Sequence, residues 1–121
     1  MVMVVDDTES ARDIAARLLK FHGVEAVQAA SGPEALQLLE EVHPDLILLD
    51  IAMPDMDGFE VLGKLRDDPR WQDIPVVMLT AVMDEQSIRR AFDLGACEYL
   101  LKAAFTAPKM VEVVKRHAKR G

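Results

Sequence analysis

Leu46-Ile47-Leu48-Leu49-Asp50 is an unbroken apolar run closed by a carboxylate, and its reading decides the architecture. Four consecutive apolar residues suit a strand covered on both faces, as in a parallel sheet between helix layers, whereas a sheet with one wet face would alternate. Working outward, short runs rich in apolar residues recur at Met1-Val5, Val24-Ala29, Ile74-Leu79 and Cys97-Leu101, and three of the five are nearly continuous. Between them lie amphipathic stretches with apolar residues three and four apart, near Ser10-Phe21, Pro33-Val42, Gly58-Asp67, Asp84-Leu94 and Pro108-Lys119. The alternation predicts an α/β fold, five parallel strands inside a three-layer (βα)5 sandwich.

Local punctuation agrees. Gly23 and Gly95 fall where helices should stop, and Ser31, Pro33 and Glu34 supply an N-cap, an early-turn proline and a capping-box acid. A chain of 121 residues supports one core, so residues 1–121 read as one domain. The net charge of -7 disfavours nucleic acid, which demands clustered Lys and Arg. Cys97 has no second cysteine for a disulfide or a thiolate metal site, and no apolar run approaches the roughly 18 residues of a membrane span. A cytoplasmic location is expected. His22, His43 and His117 lack partners at metal-ligand spacing and read as surface or loop residues, and Trp71 reads as a cover on one edge of the core.

Right-handed crossovers bring every strand's carboxyl end to one edge of such a sheet, and open α/β sheets bind ligands at that edge. The residues that close the runs are Asp6 and Asp7, then Asp50, Thr80 and Lys102. Converging carboxylates repel one another, and a divalent cation relieves the repulsion. Oxygen-only ligands select a hard ion such as Mg²⁺. An Asp carboxylate is also a competent nucleophile toward phosphorus, with a metal and a Lys neutralising the transferring oxygens. Taken singly, Asp6-Asp7 could equally cap a helix, and Asp50 could be a turn residue ahead of Pro54 and Asp57-Gly58.

Over its whole length the chain resembles the receiver domains of two-component response regulators, the chemotaxis-regulator-like family. The resemblance is carried by Val4-Val5-Asp6-Asp7, by Leu49-Asp50-Ile51-Ala52-Met53-Pro54-Asp55-Met56-Asp57-Gly58, by Leu79-Thr80-Ala81 and by Tyr99-Leu100-Leu101-Lys102. It implies a flavodoxin-like strand order of 2-1-3-4-5 and a phosphorylation-dependent switch. Asp50 would accept phosphoryl from a sensor histidine kinase or phosphotransfer protein. Mg²⁺ would be held by Asp6, Asp7, Asp50 and the Ala52 carbonyl. Thr80 and Lys102 would contact the phosphoryl group, Tyr99 would turn inward as Thr80 moves, and small Ala81 would leave room. The output surface would be the fourth helix, fifth strand and fifth helix, meeting an effector or a second copy. Arg89 and Arg90 on the fourth helix could pair with that copy's acids, and solvent exposure explains them equally well. Catalysis would be confined to gaining and losing the phosphoryl group.

One departure stands out. Receivers usually follow the Lys with a cis proline, but this chain reads Lys102-Ala103-Ala104-Phe105, one residue longer. A cis bond without proline costs about 3 to 4 kcal/mol, so a trans bond or an irregular loop is predicted, and the position of Lys102 relative to Asp50 is the carry-over most exposed to it. Ala52 and Val82, flanking the approach of a hydrolytic water, cannot orient it by side-chain hydrogen bonds, which predicts slow self-dephosphorylation. Other readings remain on the sequence. A haloacid-dehalogenase-like phosphatase would need Asp-x-Asp after the first strand, and a flavodoxin-like flavin carrier would need a Ser/Thr/Gly-rich first loop in place of Asp7-Thr8-Glu9-Ser10. A receiver-like interaction module that is not phosphorylated is the remaining alternative.

Overall fold

The computed structural model describes residues 1–104 and 106–118. Strands and helices alternate along them: β1 (Val2–Val5), α1 (Glu9–Phe21), β2 (Ala26–Ala29), α2 (Gly32–Leu38), β3 (Leu46–Leu49), α3 (Gly58–Asp67), β4 (Val76–Thr80), α4 (Glu85–Asp93), β5 (Glu98–Leu101) and α5 (Ala107–His117). The strands form one sheet in the order β2-β1-β3-β4-β5, with every neighbouring pair parallel. This is the flavodoxin-like order that the resemblance implied.

The sheet explains the continuous apolar runs. Val2 and Val4 of β1, with Leu46 and Leu48 of β3, pack against Ala15 and Leu19 of α1 and Met110 and Val114 of α5. Met3, Val5, Ile47 and Leu49 point the other way, into a second cluster with Leu62 and Leu65 of α3 and Ala91 of α4. Successive side chains enter opposite faces, and both faces are dry, so every position must be apolar.

Helix starts follow local chemistry. Side chains of Ser31, Asp57, Asp84 and Thr106 accept the backbone N–H three residues on, capping α2, α3, α4 and α5. The capping box at Ser31 is displaced by one residue, because Glu34 Oε1 takes the N–H of Ala30, at 2.7 Å, in place of that of Ser31. Gly23 and Gly95 have φ of 82° and 99°, the left-handed geometry in which helices commonly end.

Several boundaries differ from those read in the sequence. α2 stops at Leu38, short of Val42, as the N–H groups of Glu40 and Glu41 turn to carbonyls three residues back, at Gln37 and Leu38. β4 begins at Val76, since Pro75 has no N–H to give a ladder. Trp71 is buried in the core, 8% exposed, with the Arg70 guanidinium over its ring. The predicted end of the last helix at Lys119, and Phe105, lie outside the described residues.

One glycine is required by packing against the site. The loop after β3 folds back so that the Gly58 N–H donates to the Ile51 carbonyl at 2.9 Å. A Cβ on Gly58 would lie 2.3 Å from the Asp50 carbonyl oxygen and 2.8 Å from Ile51 Cα, both rigid backbone. Gly63, inside α3, has nothing within 4 Å of such a Cβ. Gly58→Ala should therefore cost about 2 kcal/mol or more through overpacking, while Gly63→Ala should gain up to about 1 kcal/mol from helix propensity. Urea unfolding of the two variants checks the contrast, and equal effects would contradict it.

Candidate functional site

The strand register assembles the site before any side chain acts. Val5 pairs with Leu49, so the next residues, Asp6 and Asp50, emerge side by side. The Asp50 N–H extends the ladder to the Val5 carbonyl at 3.0 Å. Thr80 closes β4 opposite Leu101, which brings Lys102 to the same edge. Asp6 and Asp50 are each 4% exposed and Thr80 is fully buried, whereas Asp7 is exposed.

Asp6, Asp7 and Asp50 each offer a carboxylate oxygen within 4.8 Å of the others. Three hard oxygen donors at this spacing, two of them buried, fit a divalent cation. Lys102 reaches into the same cluster, with Nζ 2.6 Å from Asp6 Oδ2 and 3.1 Å from Asp50 Oδ2. The other oxygens are tied to the backbone. Asp6 Oδ1 accepts the Thr8 N–H at 2.9 Å, and Asp50 Oδ1 accepts the Ala52 N–H at a long 3.4 Å.

Electrostatics follow from this crowding. Burial, reinforced by the Asp50 charge, pushes the Asp6 carboxyl above its usual range against the pull of Lys102 and the Thr8 N–H. Burial disfavours the Lys102 ammonium too, but its bonds to Asp6 and Asp50 outweigh that cost and hold it above its ordinary value. An apolar cavity of about 240 Å³ between α1 and the sheet, walled by Ile14, Leu18 and Leu79 among others, borders all three groups.

Lys102 holds this position without a proline after it. Its own N–H bonds the Thr80 carbonyl at 2.9 Å, and the Ala104 N–H closes a turn onto the Leu101 carbonyl at 3.0 Å. The ladder therefore sets Lys102 before the unusual loop begins. No described peptide bond is cis, so the Lys102–Ala103 bond is trans, as expected.

Tyr99 belongs to a neighbouring locus. Its hydroxyl donates to the Val82 carbonyl at 2.6 Å, its ring lies 6.5 Å from that of Phe92, and burial raises its phenol. Val82 in turn gives its N–H to Thr80 Oγ1 at 3.3 Å, linking Tyr99 to Thr80 through one residue. Arg89 and Arg90 have partners within the chain. Arg89 pairs with Glu85 at 2.6 Å along α4, and the Arg90 guanidinium sits 4.2 Å from the centre of the Phe59 ring. Of the histidines, His22 and His43 are exposed and His117 meets Glu98 at 3.2 Å.

One residue beside the site was not singled out from the sequence. Arg12 of α1 donates through Nη1 to the Asp6 carbonyl at 2.8 Å and through Nε to Gln28 Oε1 at 3.1 Å. The only sequence signal is a basic residue one helical turn beyond Thr8, beside the inward-facing Ala11 and Ala15.

A family profile for the response regulator receiver domain matches residues 2–115. The chain belongs to this family. The receiver is 38% identical over 119 residues to the polar-differentiation response regulator DivK of Brucella ovis, covering 96% of this chain and 94% of that protein. Its fold superposes on the chemotaxis protein CheY4 of Vibrio cholerae with a TM-score of 0.88 and 30% identity, over 96% of each chain. It matches the Mn²⁺-bound form of the response regulator Rcp1 with a TM-score of 0.82 and 28% identity, over 94% and 90% of the two chains. Like other members, this receiver is a phosphorylation-dependent signalling switch, not a metabolic enzyme, and the family binds a divalent metal. Among the described residues no helix is long and apolar enough to cross a membrane.

The Asp6 charge carries a stability prediction. A carboxyl whose folded pKa lies above its unfolded value contributes stability that is fully present below the unfolded value and is lost as pH rises through the folded one. Once ionised and without metal, Asp6 thus opposes folding. Asp6→Asn should raise Tm in EDTA above that of wild type and abolish the Tm rise caused by added divalent cation. A lower Tm in EDTA would mean that the Lys102 bond outweighs burial.

Proposed function

We propose that residues 1–121 form one receiver domain in which Asp50 accepts the phosphoryl group, with Mg²⁺ as the working cation. The observation that carries this reading is the buried Asp50 carboxylate, bonded to Lys102 within the Asp6, Asp7 and Asp50 cluster. The donor is a phosphohistidine on a sensor histidine kinase or a phosphotransfer protein. An Asp50 oxygen attacks phosphorus, the P–N bond breaks, and its electron pair leaves with the imidazole, giving an aspartyl phosphate.

Asp6, Asp7, Asp50 and the Ala52 carbonyl hold the cation. Bound Mg²⁺ would neutralise charge on the transferring oxygens. Lys102, already beside Asp50, moves its ammonium onto a phosphoryl oxygen, and the Thr80 hydroxyl donates to another. Each contact exists only with phosphoryl present, so each biases a two-state equilibrium. Thr80 connects through Val82 to Tyr99, and thus to the α4-β5-α5 surface that meets an effector or a second copy in a homodimer. The protein works in the cytoplasm, and its own chemistry is limited to gaining and losing the phosphoryl group. The placement of Lys102 supports this reading over an interaction module that is never phosphorylated.

Incubation with acetyl phosphate and Mg²⁺, followed by intact mass, should give one phosphoryl adduct on wild type and none on Asp50→Asn. An equal adduct on the variant would refute the assignment. Neither Ala52 nor Val82 brings a polar side chain to the water's approach, so decay of the adduct should be slow. Ala52→Asn should hasten it several-fold, and a wild type that decays faster than the variant would overturn the point.

A further inference from the structure

Among the described residues Arg12, beside the acidic cluster, makes no ion pair. Its guanidinium bonds two neutral acceptors, the Asp6 carbonyl at 2.8 Å and Gln28 Oε1 at 3.1 Å, and among the described residues no carboxylate lies within 4 Å of it. The bond to the backbone has a consequence for Asp7. The Asp6 carbonyl belongs to the peptide that joins Asp6 to Asp7, so a bond there fixes the plane from which the exposed Asp7 departs.

The rest of Asp6 is already held: its N–H by the Ala29 carbonyl at 3.1 Å, one carboxylate oxygen by the Thr8 N–H, the other by Lys102. Among the described residues Asp7 has no such hydrogen bond, so the peptide that Arg12 grips is the nearest fixed group to it. Gln28, on the edge strand β2, aims the guanidinium.

We infer that Arg12 is a positioning residue for the cation site, setting the Asp6–Asp7 turn and, through Gln28, coupling β2 to it. Groups that orient ligands in this manner set affinity by the arrangement they maintain before the ion arrives. The inference rests on the proposed phosphoryl transfer for one readout only, since cation binding is measured independently.

The test compares wild type, Arg12→Ala, Arg12→Lys, Gln28→Ala and the double variant Arg12→Ala/Gln28→Ala. Two Mg²⁺ titrations are read, the rise in Tm and the extent of phosphorylation from acetyl phosphate. Arg12→Ala should shift the Mg²⁺ midpoint upward on the order of tenfold in both, with the midpoint moving more than the maximum. Arg12→Lys keeps the charge but loses the planar two-bond grip, and should recover the midpoint to within roughly threefold of wild type. Gln28→Ala should shift it in the same direction, and the double variant should go no further than Arg12→Ala.

A lower Tm in EDTA with an unchanged Mg²⁺ midpoint would show a merely structural role and overturn the inference. Should Arg12→Ala fail to fold, Gln28→Ala and Arg12→Lys carry the test, and wild-type midpoints in both overturn it. Wild type that binds Mg²⁺ with the Arg12 dependence but takes no phosphoryl would sink the phosphoryl-transfer reading and leave this one standing. Phosphorylation on Asp50 with an Arg12-independent midpoint would do the reverse.

Discussion

The burial of Asp6 and Asp50, side by side at the end of two paired strands, is the constraint on which the rest of the site depends. Uncompensated charges in so dry a place cost several kcal/mol each. The fold answers with a cation and donors from separate elements: Lys102 from the end of β5, and the Thr8 and Ala52 amides. Even so, Asp6 stays hard to ionise. In the proposed reading, that residual cost favours a divalent cation in the cluster and leaves the Lys102 bond as a contact for the phosphoryl group to redirect.

Much of this was legible in the residues. The apolar runs closed by Asp6, Asp50, Thr80 and Lys102 mark strand ends, and parallel pairing leaves them only one edge on which to meet. Gly23, Gly95 and Ser31 act where their chemistry says they should. The sequence also marked Gly58 by its motif, but the reason is spatial, since a methyl group there would strike the Asp50 carbonyl.

What was hidden is contact between elements far apart in the chain. Lys102 looked exposed to an irregular loop, yet its amide is fixed by the β4 ladder, which no inspection of Ala103 and Ala104 could reveal. Arg89 and Arg90 looked free on α4, but one is paired within its helix and the other lies against Phe59. Arg66 is similar. Its guanidinium donates to the carbonyls of Gln72, Ile74 and Gly95, fastening the end of α3 to the entries of β4 and β5. A lone arginine in an amphipathic helix carries no mark of such a task.

Under the proposed function the phosphoryl acceptor is a matter of position rather than of intrinsic reactivity, since three carboxylates share the edge and only one is to react. Borohydride reduction of the chain after acetyl phosphate treatment converts an aspartyl phosphate to homoserine, and peptide sequencing by mass spectrometry then locates it. The account predicts homoserine at position 50 alone, whereas homoserine at position 6 or 7, or spread among the three, would contradict it.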